Sequence, residues 1–405
     1  MARKLKNWLE SYLEYADHTE SPRRLHFWAG VSAIAGALRR KVWIDQHFFK
    51  WYPSFYIIFV AKPGIVSKTT TLDIAMDLLR EVPGIKFGPD IITWQSMMTT
   101  FAGACESFEY NNSWIPMSPI TFASGELGNL IDPQNKDLIN LMISLWDGKK
   151  KMEKTTKMSG NDVIEAPWIN MIAATTPHWI ADNMPAATVG GGFTSRCVFV
   201  YAEKKERFIP YPKLEMNGGE ADLRLDLIDD LNHIAISLTG EFQLTREATI
   251  WGMEWYERNW SQRSDALDDE RLDGYVARKQ THLHKLAMIL SAARSDELLI
   301  TEADLRLAEQ MLNETEEDLI KVFSRIGRTA ESLQFEHFLS LVKKRGYIPY
   351  EEAYRIIHTT YQDFQDFEGS LTGAIRAGYL KLDHRGPEVG LKWTLNGPDK
   401  SYGLS

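Results

Sequence analysis

Between residues 53 and 210 the apolar positions fall into short, nearly continuous runs separated by segments of helical spacing, the alternation of an α/β core with a mostly parallel sheet. Strands covered on both faces read this way. The runs predict strands over 55–61, 120–124, 168–174 and 196–201. Upstream, residues 4–16 and 23–40 carry helical patterns separated by "DHTESP", with Ser21 placed as a cap and Pro22 in the first turn that follows. "KVWIDQHFF" then reads as a strand.

Farther on, "PYPKLEMNGGEAD" at 210–222 breaks the periodicity, and helical patterns follow. The longest, "DGYVARKQTHLHKLAMILSAAR", sets Val276, His282, Leu283, Leu286, Ile289 and Leu290 at helical spacing. His282 and His284 stand at i,i+2 and do not share a helix face, which favours core or surface roles over a metal. After about Ala330, short helical patterns precede "YLKLDHRGPEVGLKWTL", a hairpin, and this order predicts a winged-helix-like domain. Its last helical segment sets Asp363, Asp366 and Glu368 against Arg376 alone, so a protein contact fits it at least as well as DNA binding. The expected organisation is an N-terminal helical segment at 1–52, an α/β core at 53–210, a helical domain at 211–330 and the winged-helix-like domain at 331–405.

Composition adds limits. With 405 residues, 44% of them hydrophobic, the chain has room for a large core. The formal charge of -9 excludes a protein coated in nucleic acid and confines any DNA contact to a local patch. Cys105 and Cys197 give neither a disulfide framework nor metal-ligand spacing, so both are expected as small core residues in a reducing compartment. No signal-peptide core and no membrane-spanning run is present, and the expected location is the cytosol of a bacterium or of an infected cell.

Candidate chemistry begins at "FYIIFVAKPGIVSKTTTLDIAMDLL", a strand, a Pro-Gly turn and a helix that starts with Lys-Thr. A loop in that position points backbone N–H groups and the positive helix end at one anion. Aligned on G-x-x-x-x-G-K-[ST], the window "KPGIVSKT" puts Lys68 on the β/γ-phosphates and Thr69 on Mg²⁺, with Thr70 behind them. Lys62 and Ser67 replace the two glycines of that pattern, Gly64 keeps one flexible point, and a Ser67 with positive φ would carry strain. The competing reading is a strand-turn-helix whose lysine is merely solvated.

Partners for such a loop are expected on neighbouring strands. "SPITFASGELGNLI" ends in Glu126, a candidate general base, water-orienter and Mg²⁺ ligand, preceded by Gly125 where an Asp would assist the metal. "WINMIAATTP" offers Thr175 or Thr176 to the γ-phosphate or the attacking water, against a helix cap before Pro177. In "VGGGFTSRCVFVY" the glycines would let the backbone turn sharply, and Arg196 is placed either as an arginine finger or as the partner of an acid at the core edge. Lys149, Lys150, Lys151, Lys154 and Lys157 lie within nine residues, in an insertion between two core strands that either tracks a single-stranded DNA backbone or is a solvated charge run.

This order of features resembles the superfamily 3-like AAA+ replicative helicases of phages and plasmids, over most of the chain: the "TESP" turn, a glycine-poor phosphate loop, a strand ending in Glu, a strand ending in polar residues, "GGFTSR" and "GYVARK…KLAMIL". The resemblance implies a P-loop AAA+ type core with flanking helical segments, acting as an ATP-dependent helicase or translocase. It implies a homo-oligomeric ring, usually a hexamer, in which ATP and Mg²⁺ bound by one subunit meet an arginine of the next. Carried over, Gly64, Ser67, Lys68, Thr69 and Thr70 would bind ATP, Thr69 and Glu126 the metal, and Thr175 or Thr176 would be the sensor. Arg196 would be the inter-subunit finger, Arg278 a second arginine sensor, and Lys149 to Lys157 the channel loop for single-stranded DNA, with a primase as a further partner. The departures at Lys62, Ser67 and Gly125 leave a second expectation, an ATP-binding initiator or loader that seldom hydrolyses.

Overall fold

Strand β1, Tyr56–Val60, is buried along its whole length, and it lies inside a five-stranded sheet with β2 (Glu106–Tyr110), β3 (Ser113–Ser124), β4 (Pro167–Thr175) and β5 (Cys197–Tyr201). The order is β2-β3-β4-β1-β5. β3, β4, β1 and β5 run parallel, while β2 pairs antiparallel to β3 at one edge. The protein is therefore mixed α/β with a central, mostly parallel sheet. These relations come from a computed structural model that describes residues 2–156, 160–185, 190–215, 218–262, 264–323, 326, 330–358, 363–386 and 388–394.

Side chains of β1 alternate between two apolar layers. Ile57 and Phe59 join Leu72, Met76 and Leu79 of the Lys68–Arg80 helix and Trp28 and Ile34 of the Arg23–Leu38 helix. Tyr56, Ile58 and Val60 join Leu138 and Met142 of the Lys136–Trp146 helix and Ile180 of the Pro177–Asn183 helix. The sheet is thus covered on both faces, which is why its strands read as continuous apolar runs; each fully buried aliphatic or Phe side chain contributes about 1.5–3 kcal/mol.

The N-terminal helices belong to this same core. Arg23–Leu38 is buried almost all round, and a Cβ on Gly30 would lie 2.6 Å from Leu9 Cδ1, so only glycine lets the Trp8–Tyr15 helix cross there. Ser21 does not cap the second helix, whose N-cap is Pro22 without a side-chain bond. Its hydroxyl lies instead 2.7 Å from Thr71 Oγ1 on the Lys68–Arg80 helix.

Residues Met1–Ile326 make one compact unit and Gly327–Ser405 a second. The second contains helices Ala330–Arg345, Tyr350–Ile357 and Phe364–Arg376 and a three-stranded antiparallel sheet in which Glu388–Trp393 is flanked by Tyr347–Pro349 and Leu380–Arg385. Phe338, Val342, Ile357, Phe367 and Leu371 form its own core. Among the described residues, no helix is long and apolar enough to cross a membrane.

Candidate functional site

The parallel strands all end on one side, and the chain leaves β1 for a helix on one face but β3 and β4 for helices on the other. Ligands of open α/β sheets bind at such ends. Register fixes what meets there: Val60 is opposite Thr175, and Ser124 is opposite Ala173, which brings Glu126, two residues on, toward the same level.

The loop from Ala61 to Ser67 is exposed except at Ala61 and Val66, which anchor it. Gly64, at φ 72°, is its one left-handed residue. Ser67 has φ -81° and ψ 63°, so the strain expected at the missing second glycine is not there. Lys68 opens the helix. Its ammonium donates to Ala61 O at 2.9 Å, and Ala61 N donates in turn to Thr175 O at 3.3 Å. Burial holds the Lys68 pKa below its usual value, against the nearby Glu126 charge, which favours the ammonium.

At this helix start Lys68 N bonds to Val66 O and Thr71 N to Ser67 O, both at 2.9 Å, while the Thr69 and Thr70 N–H groups have no acceptor among the described residues. Two open donors, the helix dipole and a lysine make a site for an anion. Thr71 carries no motif signal, yet it organises the loop end. Its hydroxyl, between Ser67 O (2.9 Å) and Ser21 Oγ (2.7 Å), fixes that end to the N-terminal turn across fifty residues of sequence.

Gly125 explains its own lack of a side chain. A Cβ there would lie 3.0 Å from Thr69 Cγ2 and 3.1 Å from Thr69 Oγ1, so an Asp would push Thr69 away. Glu126 beside it is exposed; its backbone is held by Ser124 Oγ, which donates to Glu126 O at 2.9 Å, and its carboxylate makes no ion pair or hydrogen bond among the described residues.

The two threonines divide their work. Thr176 Oγ1 accepts from Trp179 N at 3.1 Å and caps the Pro177–Asn183 helix, with Pro177 in its first turn. Thr175 is 1% exposed and its hydroxyl has no partner among the described residues, a rare state for a buried polar group. Of the two hydroxyls, only that of Thr175 is uncommitted among the described residues, and it lies beneath the surface.

Arg196 is elsewhere. It precedes Cys197, which pairs with Tyr56 at the opposite end of the sheet, on the order of 15 Å from the loop by strand rise. Asp147 holds its guanidinium through Nε (2.9 Å) and Nη2 (2.7 and 2.8 Å), and Gly192 O accepts from Nη1 at 2.5 Å. Within one chain Arg196 does not reach the Ala61–Ser67 loop. The glycines before it do not use left-handed angles either; a Cβ on Gly192 would lie 2.7 Å from Ile143 Cδ1, so a side chain there would have to displace the end of Ile143. Arg278 adjoins Arg196, whose charge adds to burial in lowering its pKa.

The lysine run forms the hairpin Lys151–Thr156 with Gly160–Glu165, anchored at the same end where Ala166 N bonds to Lys150 O. Lys149 and Lys150 are exposed, Lys151 pairs with Glu153, Lys154 lies opposite Asp162 in the ladder, and Lys157 lies outside the described residues. His282 and His284 are buried, and burial drives them to pKa values of about 3 and about 4, so they are neutral core residues. Cys197 is buried as expected, but Cys105 is exposed just after the Trp94–Gly103 helix. Among the described residues no cluster of His, Cys, Asp and Glu is built to hold a metal on its own. No protein-family model and no curated protein matches the chain.

Proposed function

We propose that the protein is an ATP-dependent motor of the P-loop AAA+ type that translocates on single-stranded DNA, a helicase of phage or plasmid replication working as a homo-oligomeric ring in the cytosol. The observation that carries this reading is the meeting of Lys68, Thr69, Glu126 and Thr175 at the carboxyl ends of adjacent parallel strands. Lys68 and the Thr69 and Thr70 N–H groups suit the phosphates of ATP, replacing the Lys68 bond to Ala61 O. The unpartnered Thr175 hydroxyl suits the γ-phosphate or the attacking water. Glu126, with no competing partner among the described residues, orients that water and accepts its proton.

Thr69 and Glu126 would hold Mg²⁺, which supplies charge neutralisation on the phosphate oxygens. Arg196 lies too far away to act on its own subunit's nucleotide, as an inter-subunit finger requires, and would have to leave Asp147 to serve a neighbour. The lysine hairpin at that same end would grip the strand. The small C-terminal unit, with its helices followed by a hairpin, fits a winged-helix-like accessory domain, and a primase is a candidate partner.

A second reading has its own support. Thr69 occupies the space an Asp at 125 would need, so Glu126 works without a second carboxylate. That favours an ATP-binding initiator or loader with slow hydrolysis. Strand displacement on a forked duplex separates the two: ATP-dependent unwinding supports the motor, and tight ATP binding without unwinding supports the initiator or loader.

A further inference from the structure

At the amino end of the central sheet, away from the phosphate loop, lies a cavity of about 400 Å³. Its wall gathers Arg196, Arg278 and Lys285 around one carboxylate, Asp147. Lys50, also in the wall, is balanced by Asp45 at 3.2 Å. Asp147 is committed to Arg196, with both carboxylate oxygens accepting from its guanidinium.

Arg278 donates to Gly274 O at 3.0 Å, and Lys285 donates to Ser54 O and Oγ at 3.2 and 3.1 Å, with its ammonium 3.5 Å from the Trp146 ring centre. Among the described residues neither has an acid within ion-pair distance. Behind the wall, the Arg40 guanidinium lies 4.0 Å from the Tyr52 ring and donates to the carbonyls of Pro167 and Gly148, adding positive charge. Burial holds the Lys285 pKa well below its usual value, against the nearby Asp147 charge, and an anion placed beside it favours the ammonium form. Asp147 is the one carboxylate in this wall and is held by Arg196, so the group carries an excess of positive charge that a bound dianion offsets.

We propose that this cavity binds a small phosphorylated ligand, its phosphate placed between Arg278 and Lys285. Arg278 supplies a planar set of donors and Lys285 a point charge, the two side chains best matched to phosphate oxygens. The volume lies within the range of small-ligand pockets, and Trp51, Tyr52 and Trp146 form the apolar part of the wall. The site shares no residue with the Ala61–Ser67 loop; it shares Arg196 with the proposed inter-subunit contact, and its test does not depend on ATP turnover.

The test is a calorimetric titration of the full chain carrying Lys68→Ala, which removes the loop lysine, with inorganic pyrophosphate and no nucleotide. Saturable binding is expected, weakened at least tenfold by Arg278→Ala and by Lys285→Met, which keeps an unbranched apolar stem against Trp146. Should Lys285→Met fail to fold, the half-buried Arg278→Ala decides. Absence of saturable binding, or binding indifferent to Arg278→Ala, overturns the proposal. The titration is repeated at two protein concentrations: a site within one chain gives the same Kd, and a Kd that tightens with self-association assigns the pocket to a neighbour and also overturns it. Failure here leaves the loop reading to be judged by turnover of the unaltered chain.

Discussion

Gly125 and Thr69 touch so closely that the Cβ absent from Gly125 would lie 3.1 Å from the Thr69 hydroxyl. The space that an acidic side chain at this position would enter is thus occupied by Thr69, at the start of the Lys68–Arg80 helix. Gly125→Asp, although it would restore the usual acid, is expected to lower ATP turnover by displacing Thr69. Steady-state phosphate release from the variant and the unaltered chain checks this, and a faster Gly125→Asp protein counts against the site.

Thr175 and Thr176 are expected to respond in opposite ways. Thr176→Ala removes a helix cap and costs about 1 kcal/mol of stability. Thr175→Val removes a buried hydroxyl that has no partner among the described residues, so stability is unchanged or rises by about 1 kcal/mol, while hydrolysis falls about tenfold or more. Urea unfolding and turnover, measured on both proteins, resolve the pair. Equal loss of stability in both would place Thr175 in an ordinary structural role.

Acid should weaken the fold through its buried histidines. His26, His282 and His284 are held by burial at about 4, about 3 and about 4, below the usual 6.5. Between those values the unfolded chain takes up protons that the native chain refuses, so stability present at neutral pH is lost as pH falls from about 6.5 toward 4. Each histidine contributes up to about 1.4 kcal/mol per pH unit. Urea midpoints at pH 7 and pH 5 are expected to differ less in His282→Phe than in the unaltered protein, whatever the variant's absolute stability.

The lysine hairpin gives a salt-dependent signature. Replacing Lys149, Lys150 and Lys151 with Gln is expected to weaken single-stranded DNA binding and to flatten the dependence of log K on log salt, by about 0.7 for each phosphate no longer neutralised. Lys151, already paired with Glu153, contributes least. An unchanged slope would mean that this run is solvated surface.

Much of the core is legible because strands buried on both faces leave a plain apolar signal: β1 is expected at 55–61 and observed at Tyr56–Val60. β3 is expected to begin at 120 but begins at Ser113, since Pro116 and Pro119 read as breakers; the first lies in the pairing with the edge strand β2 and the second opposite Trp168 of β4. The short, mostly polar "ESFEY" of β2 leaves only a brief alternation at Phe108, Glu109 and Tyr110. Of the site, Lys68, Thr69 and Glu126 can be picked out by residue type and position after a strand. The Gly125–Thr69 contact, the Ser21–Thr71 link and the Asp147–Arg196 pair join residues roughly fifty apart, a relation no local pattern carries.

The proposed motor requires the loop between β1 and the Lys68–Arg80 helix to be a working phosphate site. ATP hydrolysis by the full chain, with and without single-stranded DNA and with Lys68→Ala as control, tests it most directly. Turnover that rises with DNA and falls about a hundredfold or more in the control is the predicted result. Turnover that survives Lys68→Ala, or ATP that fails to bind the unaltered chain, would contradict it.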